Sequence, residues 1–169
     1  NVMGSRGSVI PEFFKQKKNG IINITNKNMT RFNITMQQSI DLVLWALKNS
    51  IGGEIFVPKI PSYRILDLAR AIAPNAKINI IGQRPGEKIH EELITKSESC
   101  DTVDLKKYYA ILTFLIKNNT DVNNKGLLKT YSIPRKGKKL KNEFSYTSDT
   151  NNDFLSVEQI RKLIKDIDY

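Results

Sequence analysis

Apolar residues fall along this chain in two rhythms, one of three to four residues and one of short runs, and together they predict alternating helices and strands. The clearest helical period covers residues 36–49, where Met36, Ile40, Val43, Leu44 and Leu47 share a face and Leu42, Trp45 and Ala46 widen it. A stripe that wide predicts a helix covered on more than one side. Thr35-Met36-Gln37-Gln38 supplies its capping box. A second helix is expected over 63–73, capped by Ser62 and packed through Ile65, Leu68, Ala69 and Ile72. Residues 9–18 read as a helix that Ser8 can cap and whose first turn tolerates Pro11. Ser156-Val157-Glu158-Gln159 is a second capping box, opening an amphipathic helix with Val157, Ile160, Leu163, Ile164 and Ile167 on its apolar side. Residues 87–95 are expected to form a short helix, because Ile89 and Leu93 lie four apart.

Strand-like runs occupy 21–25, 29–34, 54–58, 77–81 and 108–112. In the second run Met29, Arg31 and Asn33 share one face while Phe32 and Ile34 share the other, which pins Arg31 as a cation on an ordered element. Alternation of this kind predicts an α/β fold. From Lys117 to about Thr150 the composition turns to Asn, Lys, Asp, Thr and Ser, so 117–150 is expected to be an irregular basic surface excursion between residues 1–116 and a C-terminal helical segment, 151–169.

The stretch Ile80-Ile81-Gly82-Gln83-Arg84-Pro85-Gly86-Glu87-Lys88 concentrates special backbone residues and charge at a strand end. Pro85 fixes φ and Gly86 admits the positive φ of a type II turn. Such a turn holds Arg84 and Glu87 within reach of one ligand. Arg84 offers a planar fork suited to a diphosphate, and Glu87 accepts hydrogen bonds from sugar hydroxyls or an imide N–H. The small-residue loop Gly4-Ser5-Arg6-Gly7-Ser8 feeds a helix N-terminus, the generic geometry for holding phosphate on backbone N–H groups.

Composition narrows the alternatives. At 169 residues the chain is long enough for a real core, and 40% hydrophobic with 26% charged residues is ordinary for a globular protein. One cysteine, Cys100, and one histidine, His90, leave no metal cluster to propose and suit a reducing cytoplasm. No apolar run approaches the ~20 residues of a membrane span. Much of the net charge of +10 sits in Arg135-Lys136-Gly137-Lys138-Lys139-Leu140-Lys141, which has no interleaved aromatic platform, and the rest is spread along the chain, so nucleic acid is not an expected partner. The first residues, without an initiator methionine, look like the tail of a strand, so a preceding segment is expected.

Four motifs in order carry a resemblance: Asn-Val-x-Gly-Ser-Arg-Gly-Ser-Val-Ile-Pro at 1–11, Met-Thr-Arg-Phe-x-Ile-Thr at 29–35, Gly-Glu-Ile-Phe-Val-Pro-Lys-Ile-Pro-Ser at 53–62 and Arg-Pro-Gly-Glu-Lys-x-His-Glu-Glu at 84–92. With the segment 146–155, they resemble the inverting UDP-N-acetylglucosamine 4,6-dehydratases and capsular polysaccharide biosynthesis proteins, within the extended short-chain dehydrogenase/reductase superfamily. The resemblance spans the chain but only the second half of the family. It implies the C-terminal substrate-binding portion of a Rossmann-type α/β fold, incomplete without the N-terminal nucleotide-binding half. That half would carry the G-x-x-G-x-x-G fingerprint and Tyr-x-x-x-Lys, neither of which occurs in these 169 residues.

The resemblance implies that 1–116 and 151–169 belong to one UDP-sugar-binding portion. It implies that Asn1, Ser8, Val9, Pro11, Arg31, Arg84 and Glu87 contact substrate, with the two arginines on the diphosphate and Glu87 at the uridine or ribose end. Asn1 and Val2 would lie beside NADP, whose main site belongs to the other half. The implied partners are a UDP-sugar, the N-terminal half and, in the complete cytoplasmic enzyme, further copies of the chain. No catalytic residue is assigned, and the isolated chain is expected to be inactive. A UDP-sugar 4-epimerase and a catalytically dead binding module are the alternatives.

Overall fold

A computed structural model of the chain describes residues 2–50, 52–112, 138–140 and 143–165. The elements run α1 (Val9–Lys17), β1 (Ile21–Ile24), β2 (Thr30–Phe32), α2 (Met36–Asn49), β3 (Ile55–Pro58), β4 (Ser62–Arg64), α3 (Ile65–Ile72) and β5 (Lys77–Ile80). They continue with β6 (Glu92–Ile94), a 3-10 helix (Lys96–Asp101), β7 (Thr102–Asp104), β8 (Tyr108–Ile111), β9 (Lys138–Lys139), β10 (Tyr146–Thr147) and α4 (Val157–Ile164). The result is a mixed α/β fold with parallel and antiparallel strands. The chain divides into two compact units: Asn1–Ser39, Ile60–Glu91 and Thr147–Tyr169 form the first, Ile40–Lys59 and Glu92–Tyr146 the second.

In the first unit, the apolar residues of three helices and β1 converge. Ile10 and Phe13 of α1, Ile22 and Ile24 of β1, Leu68, Ala69 and Ile72 of α3, and Ile160 and Ile164 of α4 make one core. The Ser156–Gln159 capping box forms as the sequence predicts, with Gln159 N–H donating to Ser156 Oγ at 3.2 Å and Ser156 N–H to Gln159 Oε1 at 2.7 Å. β1 pairs with β5 in parallel, Ile21 opposite Lys77 through Ile24 opposite Ile80. β2 pairs antiparallel with β4, placing Arg31 opposite Tyr63. Ser62 therefore sits in a strand opposite Phe32 and does not cap a helix; α3 starts later, after Arg64. The expected helix at 87–95 is also absent. Residues 89–91 instead run along the free edge of β2, where Ile89 O accepts the Thr30 N–H at 3.1 Å, and 92–94 form β6. A backbone tied to a strand edge cannot also close helical hydrogen bonds.

In the second unit, β3, β8, β7 and β9 form an antiparallel sheet in that order. Val103, Leu105, Ala110 and Leu112 make its core, and Trp45 packs edge-on to Phe56 at 5.0 Å. Lys59 Nζ pairs with Asp104 and lies 4.4 Å from the Tyr109 ring centre. The 3-10 helix opens with a Thr95–Glu98 capping box, an element not expected from the sequence.

The helix α2 departs from expectation. It has the predicted span and the Thr35–Gln38 capping box, yet none of its residues is buried, and Leu47 is 76% exposed. Its period is that of a covered helix, but Met36, Ile40, Val43, Leu44 and Leu47 are all exposed. Most of the 117–150 segment lies outside the described residues.

Candidate functional site

The side chain of Arg31 is fixed by carbonyls. In β2, Thr30 and Phe32 turn into the core, which sends Arg31 to the other side. Arg31 Nη1 donates to Thr30 O at 2.7 Å and to Ile89 O at 2.9 Å, while Nε lies 3.9 Å from Glu91 Oε1. Both Nη1 hydrogens are thus engaged. Nη2 meets nothing stronger than Met29 Sδ, 3.6 Å away, among the described residues. The side chain, 15% exposed, is held through Nη1 and Nε and keeps Nη2 for an acceptor. Opposite it, burial pushes the Tyr63 hydroxyl up to about 12; the Glu91 carboxylate adds to the rise and Arg31 opposes it.

The 84–87 turn forms as the sequence predicts. Gly86 has φ +77°, and Glu87 N–H donates to Arg84 O at 3.1 Å, the arrangement of a type II turn after Pro85. Glu87 uses both oxygens within the chain: one accepts the Arg84 N–H at 3.2 Å, the other the Thr25 hydroxyl at 3.2 Å. Its carboxylate ties the turn to the end of β1. The Arg84 side chain is exposed.

The loop before α1 bends at Gly4, φ +75°, and Gly7, φ +76°, conformations that glycine adopts without strain. Ser8 occupies the N-cap position with φ −79° and ψ 170°, but its side chain makes no cap bond, contrary to the expectation from sequence. Its Oγ is buried without a hydrogen-bond partner among the described residues. The first N–H groups of any helix lack intrahelical acceptors, so this end presents backbone donors and an uncommitted hydroxyl together.

These three features line one cavity of about 790 Å³ within the first unit. Ligand sites commonly span roughly 300–1,000 Å³. Val2, Ser8, Val9, Pro11, Arg31, Arg84 and Glu87 all line it. Asn1 lies outside the described residues. Thr25, Asn33 and Tyr63 line the cavity too and were not among the expected site residues. The shared strand face of Arg31 and Asn33 was a legible signal for one of them. Cations and anions are mixed around the wall, with Arg6, Lys15, Arg31 and Arg84 against Glu12 and Glu87.

Of the two residues that the resemblance sets beside NADP, Val2 offers an apolar side chain and a parallel bridge to Ile34, and Asn1 lies outside the described residues. His90 is spent elsewhere, with Nδ1 2.8 Å from Thr30 Oγ1. Among the described residues no three His, Cys, Asp or Glu side chains are grouped to hold a metal, and no helix is long and apolar enough to cross a membrane.

Comparison with known proteins adds to this geometry. A family model described as "Polysaccharide biosynthesis protein" matches residues 1–113. The UDP-N-acetylglucosamine 4,6-dehydratase (inverting) of Campylobacter jejuni (strain NCTC 11168) is 42% identical over 97% of this chain and 48% of its own length. A UDP-glucose 4-epimerase of Rickettsia conorii is 37% identical over 100% of this chain and 48% of its own length. Among solved structures, the X-ray structure of Pen from Bacillus thuringiensis matches with a TM-score of 0.76 and 37% identity, over 98% of this chain and 47% of that one. The chain spans about half the length of these relatives.

Proposed function

Since the chain belongs to the polysaccharide biosynthesis protein family, we propose that it is the UDP-sugar-holding part of an inverting UDP-N-acetylglucosamine 4,6-dehydratase. The observation that carries this reading is Arg31, locked by two carbonyls with Nη2 free on the cavity. A locked guanidinium suits a diphosphate, because a charge-assisted hydrogen bond from Nη2 is of the strong class and little freedom is lost on forming it. Arg84 grips the same diphosphate from the turn. Ser8 Oγ and the first N–H groups of α1, with Val9 and Pro11 beside them, hold the neighbouring phosphate or sugar oxygens. Glu87 closes the uridine end. In this reading residues 1–116 and 151–169 carry the substrate, and Asn1 is among its contacts.

NADP would supply hydride acceptance and return when bound, and it belongs with the nucleotide-binding half. Two features of this chain suit contact with that half. The α2 face is uncovered, and the parallel β1–β5 pair leaves Ile21, Ile80 and Ile81 exposed, whereas parallel strands are normally covered on both sides. The complete protein is proposed to be a cytoplasmic homo-oligomer. Alone, the 169 residues hold substrate and turn nothing over.

Calorimetric titration of the chain with UDP tests the binding half of this proposal, and an absence of UDP binding would overturn it. The similarity to a UDP-glucose 4-epimerase supports a second reading that shares the UDP grip. NMR of the product made with the complete protein separates the two: a 4-keto-6-deoxy sugar supports the dehydratase, a simple 4-epimer the alternative.

A further inference from the structure

The strip of chain behind Arg31 is bound together more thoroughly than a surface segment requires. Residues 89–91 lie against β2 as an extra strand would, yet they complete the edge with unlike groups. Ile89 O accepts from Thr30 N–H and from Arg31 Nη1, and Phe32 N–H donates to the side chain of Glu91, Oε2, at 2.7 Å. The carboxylate takes the place a backbone carbonyl would fill. Its other oxygen, Oε1, faces Arg31 Nε.

Glu91 is in turn held from behind. Its N–H donates to Ser148 Oγ at 2.8 Å, and Ser148 N–H donates to Glu91 O at 2.8 Å. Ser148 Oγ shares a 2.6 Å hydrogen bond with Thr30 Oγ1, which also meets His90 Nδ1. Ser148 is fully buried and Thr30 nearly so. Such a buried chain of satisfied hydrogen bonds resists rotation of any one member. Glu91 does not line the cavity, but the residue it braces does.

We propose that Glu91 is a positioning residue, which acts through Arg31 by holding its guanidinium with the free Nη2 toward an anionic group in the cavity. This rests on the reading of the cavity as a UDP site. Two simpler roles make different forecasts. A carboxylate that is merely near the site repels a diphosphate, so removing its charge would tighten binding. A carboxylate that merely stabilises the fold would, when removed, weaken every ligand alike.

The experiment is calorimetric titration of the full chain with UDP and, separately, with uridine, for wild type, Arg31→Ala, Glu91→Gln and the double variant. Glu91→Gln keeps an acceptor for Phe32 N–H but loses the charge that anchors Nε. It is expected to weaken UDP binding about threefold to tenfold, the worth of one ordinary hydrogen bond or ion pair, and to leave uridine unchanged. In the Arg31→Ala background the same change should have no further effect. Glu91→Asp, which keeps the charge but loses reach, should fall between the two, and it serves if the amide variant does not fold. Unchanged or tighter UDP binding by Glu91→Gln, equal losses for UDP and uridine, or additive losses in the double variant each overturn the inference while leaving the UDP site intact. Unchanged UDP affinity in Arg31→Ala would instead remove the reading beneath it.

Discussion

Arg31 and Arg84 line the same cavity from two regions built on different terms. Arg31 stands on β2 with Thr30 O, Ile89 O and Glu91 around its guanidinium. Arg84 stands on a turn whose backbone is fixed by Gly86 and Glu87, while its side chain remains exposed. For Arg31 the ordering cost is met when the protein folds. For Arg84 it falls on the binding step, at about 0.5–1.5 kcal/mol for a long side chain. The same functional group should therefore yield more affinity from the strand than from the turn, and its loss should reach stability only at the strand.

The largest expected effect concerns the buried surroundings that only Arg31 has. Tyr63 is raised to about 12 from an ordinary 10 by burial, with Glu91 adding to the rise. A folded value above the unfolded one favours the neutral phenol in the folded state. Its stabilisation is complete below pH 10 and disappears as pH climbs through 12, a loss on the order of 3 kcal/mol. Melting temperatures taken from pH 9 to 12.5 should fall more steeply for wild type than for Tyr63→Phe. A residual fall is expected from Tyr109, which burial also raises to about 12. Parallel curves for the two proteins would show that Tyr63 is not the cause.

Arg31→Ala should weaken UDP binding by about 1.5–3 kcal/mol, roughly 10- to 150-fold, and lower stability by about 1 kcal/mol because Glu91 loses its cation. Arg84→Ala should cost less, about 5- to 30-fold in UDP affinity, with an unchanged melting temperature, since a solvated turn arginine adds little to stability. If calorimetry gave Arg84 the larger loss, the ordering of Arg31 during folding would not be what sets its affinity. The smallest effect is expected from Arg84→Lys, within about fivefold of wild type, because a point charge replaces the fork only in part. A lysine as good as arginine would mean that Arg84 supplies charge without bidentate geometry.

Helices α2 and α3 show how far the sequence could be read. Both have clean apolar periods, and both exist. Yet α3 buries Ile65, Leu68, Ala69, Ala71 and Ile72, while α2, whose Trp45 is half-buried, has no fully buried residue. A period says which face seeks cover, and it cannot say where the cover comes from. The same limit explains the misplaced elements. Ser62 has the chemistry of an N-cap, but it lies in β4 opposite Phe32, and its backbone N–H and C=O are bonded to Asp153 O and Leu155 N–H. Residues 87–95 have helical spacing over too few turns to compete with the open edge of β2.

In the candidate site, Arg84 and Glu87 were legible because Pro85 and Gly86 dictate their turn locally, and Arg31 was legible as a cation on a strand. Ser8 was legible by position, though its hydroxyl is left free of the cap it was expected to make. Tyr63 and Thr25 were not, since neither carries a local signal: Tyr63 reaches the cavity because β4 pairs it with Arg31, and Thr25 because it follows β1.

By itself the sequence determined what depends on neighbours three or four residues apart: the capping boxes at Thr35 and Ser156, the Pro85-Gly86 turn, the apolar faces of the helices and the alternation that makes the fold α/β. Tertiary structure alone decided which strands pair, which faces are buried and what holds Arg31. Those outcomes depend on Ile89, Glu91 and Ser148, far from β2 along the chain and brought to it by folding. Short-range preferences are worth tenths of a kcal/mol to about one kcal/mol each, and burial and buried hydrogen bonds between distant segments outweigh them wherever the two compete.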